Sequence, residues 1–175
     1  MQEPDREIDP VYGPPMTLDQ YMAAFVLGRV LNSDLPSVAL QALEEGHDSV
    51  DWAALAGSSA ERWPSELLEL WHRGLREVGK VLPRHAEAGR VLRDHLATLV
   101  ASGSLAPRAG AAEIVWLANE LSDVLPSKRY AGDGLGVAKL LGLYYIHDDV
   151  PSADERAHRE IDDEIRTECR RIAGE

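Results

Sequence analysis

The chain has 175 residues, 45% of them hydrophobic and 27% charged, with 30 acidic side chains against 18 basic ones for a net charge of −12. These values fit an ordinary globular protein and exclude wholesale disorder. No apolar run reaches the ~18 residues of a membrane-spanning helix, and one cysteine, Cys169, excludes an internal disulfide framework and a cysteine-based zinc site. The acidic opening Met1-Gln2-Glu3-Pro4-Asp5 lacks the basic, then greasy, character of a secretory signal. The expectation is a cytoplasmic protein without membrane contact.

The charge is uneven. Residues 1–60 carry ten acids and two bases, 61–130 nine and ten, and 131–175 eleven and six. Such a balance repels nucleic-acid phosphates and anionic lipid and favours basic proteins as partners.

Read in chain order, the sequence predicts an all-α protein: a single-domain bundle of about seven helices over 17–175, preceded by a flexible, proline-rich acidic tail over 1–16. Proline removes a donor and fixes φ, and Pro4, Pro10, Pro14 and Pro15 keep regular structure out of that tail. Thr17-Leu18-Asp19-Gln20 reads as a capping box, followed by Leu18, Tyr21, Met22, Phe25 and Val30 at helical spacing. Pro36 sits in the first turn of a second helix that carries Val38, Ala39, Ala42 and Leu43 and stops at Gly46. Asp48 or Ser49 caps a short helix to Leu55. Pro64 opens the next, with Leu67, Leu68, Trp71, Leu75 and Val78 in line. Pro83 begins a longer helix to Ser102 with Gly103 as its stop, and Pro107 begins another through Val124. Three glycines at 132, 134 and 136 mark a loop. The greasiest run, residues 140–146, is long enough for a strand, but a lone strand has no pairing partner here, so it reads as a central helix. Ser152-Ala153-Asp154-Glu155 reads as a second capping box before a charged helix with Ala157, Ile161, Ile165, Cys169 and Ile172 in line. Trp52, Trp63, Trp71 and Trp116 are expected in the core.

Motifs of catalysis are sparse. Two Glu-x-x-His spacings, Glu44 to His47 and Glu155 to His158, match the ligand spacing of di-iron bundles. Gly46 interrupts the first and a charged face carries the second, so both read as solvated; His158 with Asp162 is at most half a site. No metal and no cofactor is expected. Gly132-Asp133-Gly134-Leu135-Gly136 followed by Lys139 lacks the preceding strand and last glycine of a dinucleotide fingerprint. Cys169 lines up with an apolar stripe and reads as a structural thiol. Arg73, Arg76, Lys80 and Arg84 form a basic stripe expected to pair with acids of the same chain.

The phrase Ala39-Leu40-Gln41-Ala42-Leu43-Glu44-Glu45-Gly46-His47-Asp48-Ser49, with Leu55-Ala56-Gly57 after it, resembles short uncharacterised all-helical proteins of actinobacteria and related high-GC bacteria. The resemblance implies helical architecture. It carries no catalytic motif and transfers no functional residue.

Two functional readings follow. The first, and the preferred one, is a non-enzymatic interaction protein of the immunity or inhibitor kind that neutralises a basic partner, with partner-binding acids Glu44, Glu45, Asp48, Asp51, Asp148 and Asp149 chosen because they flank helix ends. In a variant of it these carboxylates imitate nucleic-acid phosphates. The second is a small enzyme or ligand-binding bundle with a pocket near Tyr144, Tyr145 and His147, in which His147, Asp148 and Asp149 would do acid–base work. The sequence sets neither the partner nor the oligomeric state.

Overall fold

A computed structural model describes residues 16–58 and 63–174. The tail expected over 1–16 lies outside the described residues except for Met16, which is buried and whose carbonyl accepts from Gln41 Nε2 at 2.6 Å. Among the described residues there are eight α-helices, one 3-10 turn and no strand. They gather into two compact units, 16–84 and 85–174, a division the sequence reading did not draw.

The first unit contains α1 (Leu18–Val26), the 3-10 turn Asn32–Asp34, α2 (Leu35–Glu44), α3 (Val50–Ala56) and α4 (Pro64–Glu77). The Thr17 capping box forms as predicted: Thr17 Oγ1 accepts from the Gln20 amide while Gln20 Oε1 accepts from the Thr17 amide. Helix α1 stops at Val26, short of Val30, because Gly28 turns the chain at φ 67°, a region that favours glycine. Leu35, Val38, Ala39 and Ala42 are buried at three- and four-residue steps, so α2 packs one face inward. Ser49 caps α3 by accepting from the Trp52 amide at 3.0 Å.

The core of this unit is a tryptophan pair. Trp52 and Trp71 are fully buried and stacked, with ring centroids 5.5 Å apart. Trp52 Nε1 donates to the Trp71 carbonyl at 3.3 Å, and Phe25 tilts against Trp71. Gly74 makes the arrangement fit, since a Cβ there would stand 2.1 Å from Trp52 Cδ1. Trp63, by contrast, is 74% exposed, and Trp116 of the second unit is exposed as well. The sequence expectation of four core tryptophans is corrected to two: Trp63 occupies the N-cap position of α4, outside the helix's buried stripe.

The second unit contains α5 (His85–Ser102), α6 (Pro107–Glu120), α7 (Ala138–Asp149) and α8 (Glu155–Ala173). Helix α8 lies against α5, α6 and α7, with Ile161, Ile165 and Cys169 buried, and ends at Gly174 at φ 84°. Close helix approach again uses glycine: Gly89 abuts Leu121 and Gly110 abuts Val100. The glycine loop is a structural turn. The Asp133 carboxylate accepts from the amides of Arg129 and Tyr130, and Gly134 presses on the Leu125 carbonyl. Asp154, and not Ser152, caps α8 by accepting from the Ala157 amide, which corrects the predicted capping box.

Residues 140–146 are helical, but α7 is not the central helix expected. Only Leu140, Leu143 and His147 of it are buried, because α6 and α8 cover one side alone.

Candidate functional site

The acids chosen as partner contacts divide into three environments. Helix α2 buries one face, so Ser37, Leu40 and Glu44 project on the other, and the chain then turns through Glu45, Gly46 and Asp48 to Val50 at the start of α3. Glu44, Glu45 and Asp48 are exposed. The same segment exposes two apolar side chains, Leu40 at 51% and Val50 at 80%. Two shallow surface depressions lie here. One is lined by Ser37, Leu40, Gln41, Glu44 and Glu45, the other by Leu43, Asp48, Ser49, Val50, Ala53 and Glu77. From residue 30 to residue 61 the sequence has six acids and neither lysine nor arginine. Glu45 is held in place: its carboxylate accepts from Gln41 Nε2 at 3.1 Å and from the Leu18 amide at 3.4 Å.

Asp51 is a correction. It is 6% exposed, and its carboxylate takes both Nε and Nη2 of Arg73, at 2.9 and 2.5 Å. It sits in the first turn of α3, facing α4, so it is a structural acid and not a surface one. Beside it Glu77 accepts from the Ser49 hydroxyl at 2.6 Å and from the Asp51 amide at 3.3 Å. These bonds, the Ser49 one foremost, hold the Glu77 carboxyl below the usual glutamate range. Arg73 to Asp51 and Lys80 to Asp19 are intrachain pairs of the kind expected for the basic stripe.

Asp148 and Asp149 end α7 and are both exposed, and Asp148 is engaged by Arg108 Nη2 at 2.6 Å. Next to them the structure assembles a group that the sequence reading left apart. The chain reverses between α7 and α8 in five residues, bringing the last turn of α7 against the first turns of α8. His147, 6% exposed, then faces His158 and Asp162, which lie four residues apart on one face of α8. His147 Nε2 is 3.3 Å from His158 Nδ1 and 3.6 Å from Asp162 Oδ1, and the rings tilt at a centroid distance of 4.4 Å. His147 Nδ1 and Asp162 Oδ1 are buried and make no hydrogen bond. Two groups thus converge on one imidazole nitrogen, which holds one proton or one lone pair and serves one of them at a time.

The reading of the Glu155–His158 pair as solvated is therefore half corrected: Glu155 is exposed and pairs with Arg159, while His158 turns in to His147. The signal available was the i, i+4 step from His158 to Asp162 together with the short connection before α8. An open cleft reaches the pair, lined by Arg108, His147, Asp148, Val150, Ser152 and His158. Tyr144 and Tyr145 do not line it; they meet each other edge to face at 5.5 Å, and Tyr145 is 51% exposed. Among the described residues no group of three or more histidine, cysteine, aspartate or glutamate side chains is arranged to hold a metal ion. No described helix is long and apolar enough to cross a membrane.

Cys169 is fully buried. Burial first, and the neighbouring Glu168 charge second, push its thiol up to about 12, which leaves no thiolate for nucleophilic chemistry. Glu168 is itself buried, bonded by Arg171 Nη2 at 2.6 Å and approached by Lys139 at 3.7 Å. Lys139, the cation of the glycine-loop reading, is thereby directed to a carboxylate.

Comparison with known proteins finds no matching family model, no matching curated protein and no matching solved structure.

Proposed function

We propose that this protein acts by protein–protein interaction, in the manner of an immunity or inhibitor protein, and that the α2–α3 surface receives a basic partner. The observation that carries the reading is that exposed, apolar Leu40 shares a depression with Glu44 and Glu45, and exposed Val50 another with Asp48, in a segment with no lysine or arginine. Exposed apolar groups of this kind, rimmed by charge, supply contact area, and the acids steer an oppositely charged partner and fix its orientation. Asp51 adds nothing to this negative field, since Arg73 neutralises it in the interior.

Capture from native lysate on immobilised protein tests this. A Glu44→Lys, Asp48→Lys double variant leaves every described hydrogen bond in place. The wild type is expected to retain a basic protein that the variant loses and that salt releases, because exposed charges are screened beyond about 10 Å at 0.1 M. Retention of the same proteins by both, with equal salt response, refutes the reading.

A second reading keeps one observation of its own, the inward His147 in contact with His158. It is a small ligand bound in the cleft beside Arg108, read by the imidazole pair. The cleft is open, which favours the first reading, since small-molecule sites enclose most of their ligand. Chemical-shift changes confined to His147 and His158 on addition of a metabolite mixture, absent in His147→Ala, would support it.

A further inference from the structure

Helices α7 and α8 meet at a corner built on two imidazoles. Of α7 only Leu140, Leu143 and His147 are buried, and His147 alone of these belongs to its last turn. Its Nε2 stands 3.3 Å from His158 Nδ1 and 3.6 Å from Asp162 Oδ1, while its Nδ1 is buried without a hydrogen bond. Helices α6 and α8 are the elements packed on α7. Helix α8 presents His158 and Asp162 to His147, and α6 adds Arg108 to the cleft beside it, held by Asp148 of α7 at 2.6 Å. The connection between α7 and α8 contributes Val150 and Ser152, which carry no charge.

The gap between the two facing nitrogens has room for one hydrogen. In the neutral pair His147 donates from Nε2 and His158 accepts at Nδ1, keeping its own hydrogen on Nε2. One added proton leaves this contact intact. On His147 it sits at Nδ1; on His158 it takes the shared position, and the hydrogen of His147 moves to Nδ1. In either form one donor faces one acceptor, with the Asp162 carboxylate beside the charge. A second added proton is different. Both rings then carry N–H at the shared position and both are cations, so donor faces donor and charge faces charge across 3.3 Å. Turning one ring over separates the donors and leaves the repulsion.

We propose that the His147–His158 pair is a pH-sensitive latch. It holds the last turn of α7 on α8 while the pair carries at most one added proton, and releases that turn when the second is taken up. The closed corner binds one added proton and the open corner two, so acid favours the open form. The difference is one proton, so the opening constant grows by at most about tenfold for each pH unit lost. Release carries Asp148 and Val150 away with His147 and so takes apart the cleft they line. The latch lies within the second unit and involves neither the α2–α3 surface nor a ligand.

Native-state hydrogen exchange of the full chain tests it, measured from about pH 7.5 to 5, the range in which imidazoles charge, and corrected for the intrinsic pH dependence of amide exchange. Amides of residues 145–149 are expected to lose protection at least about tenfold over that range, while those of α5, and of α8 from Ile165 onward, stay within about threefold. His158→Gln keeps an acceptor for His147 Nε2 and removes the second charge. Its protection at 145–149 is expected to be level with pH, whatever its absolute value. Asp162→Asn removes the carboxylate beside the singly charged pair and is expected to move the release to higher pH. Imidazole nitrogen shifts of the wild type should show both rings charged where protection is lost. Wild-type protection that stays level down to pH 5 overturns the proposal, as does a loss shared equally by α5, or a His158→Gln variant with the wild-type pH dependence.

Discussion

Gly74→Ala is the sharpest test of the tryptophan core. In a solvent-facing helix the change is worth about 0.5–1 kcal/mol in favour of alanine. At Gly74 the new methyl would stand 2.1, 2.2 and 2.7 Å from three atoms of the Trp52 indole. That ring is fully buried, stacked on Trp71 and tied by Nε1 to the Trp71 carbonyl, so it has no empty side to move into. Overpacking of a filled core costs about 1–3 kcal/mol, and a locked indole places this case at the upper end. The net expectation is a loss of about 2 kcal/mol, equivalent to a drop of about 8–16 °C in the midpoint of a unit of this size. Urea unfolding followed by tryptophan fluorescence reads it, because three of the four tryptophans lie in the first unit. The slope with urea should stay unchanged while the midpoint falls. A Gly74→Ala variant as stable as the wild type, or more stable, would refute the close approach of α4 to Trp52.

Asp51→Lys is expected to destabilise by about 3–5 kcal/mol, since it buries an ammonium against Arg73, whereas Glu44→Lys and Asp48→Lys stay within about 0.5 kcal/mol in denaturant titrations. Glu77 has its native pKa below the unfolded value, so its bonds to Ser49 and Asp51 contribute fully above the ordinary glutamate range and are lost as pH falls from there through the lowered native value. Ser49→Ala should cost about 1 kcal/mol near neutral pH through the lost cap and flatten the acid side of the stability curve below about pH 5. Cys169 should resist alkylation at pH 8 in the native protein and react at once in urea; native labelling at the rate of a free thiol would contradict its burial.

The helices were legible because their causes are local. Thr17 with Gln20, Pro36, Gly46, Ser49, Pro64, Pro107 and the apolar steps of α2, α4 and α8 each act over a single turn. Such signals sit within four residues of what they govern. The structural role of Cys169 followed from the same stripe.

Burial was the part that local pattern could not supply. Trp63 and Trp71 have the same apolar payload, but Trp71 is fully buried against Trp52 of α3 while Trp63 is 74% exposed. Asp51 looked like a surface acid at a helix start until α4 brought Arg73 to it across 22 residues of sequence. Tyr145 and Ile146 read as core until α6 and α8 covered only the other side of α7. His147 and His158, eleven residues apart, met because the chain reverses between two helices. Helix formation is decided by hydrogen bonds and caps inside one segment, so the amino-acid order determined it alone. Which face each helix hides, and which polar groups are enclosed with it, depends on contacts between segments far apart in the chain, and the tertiary structure decided those.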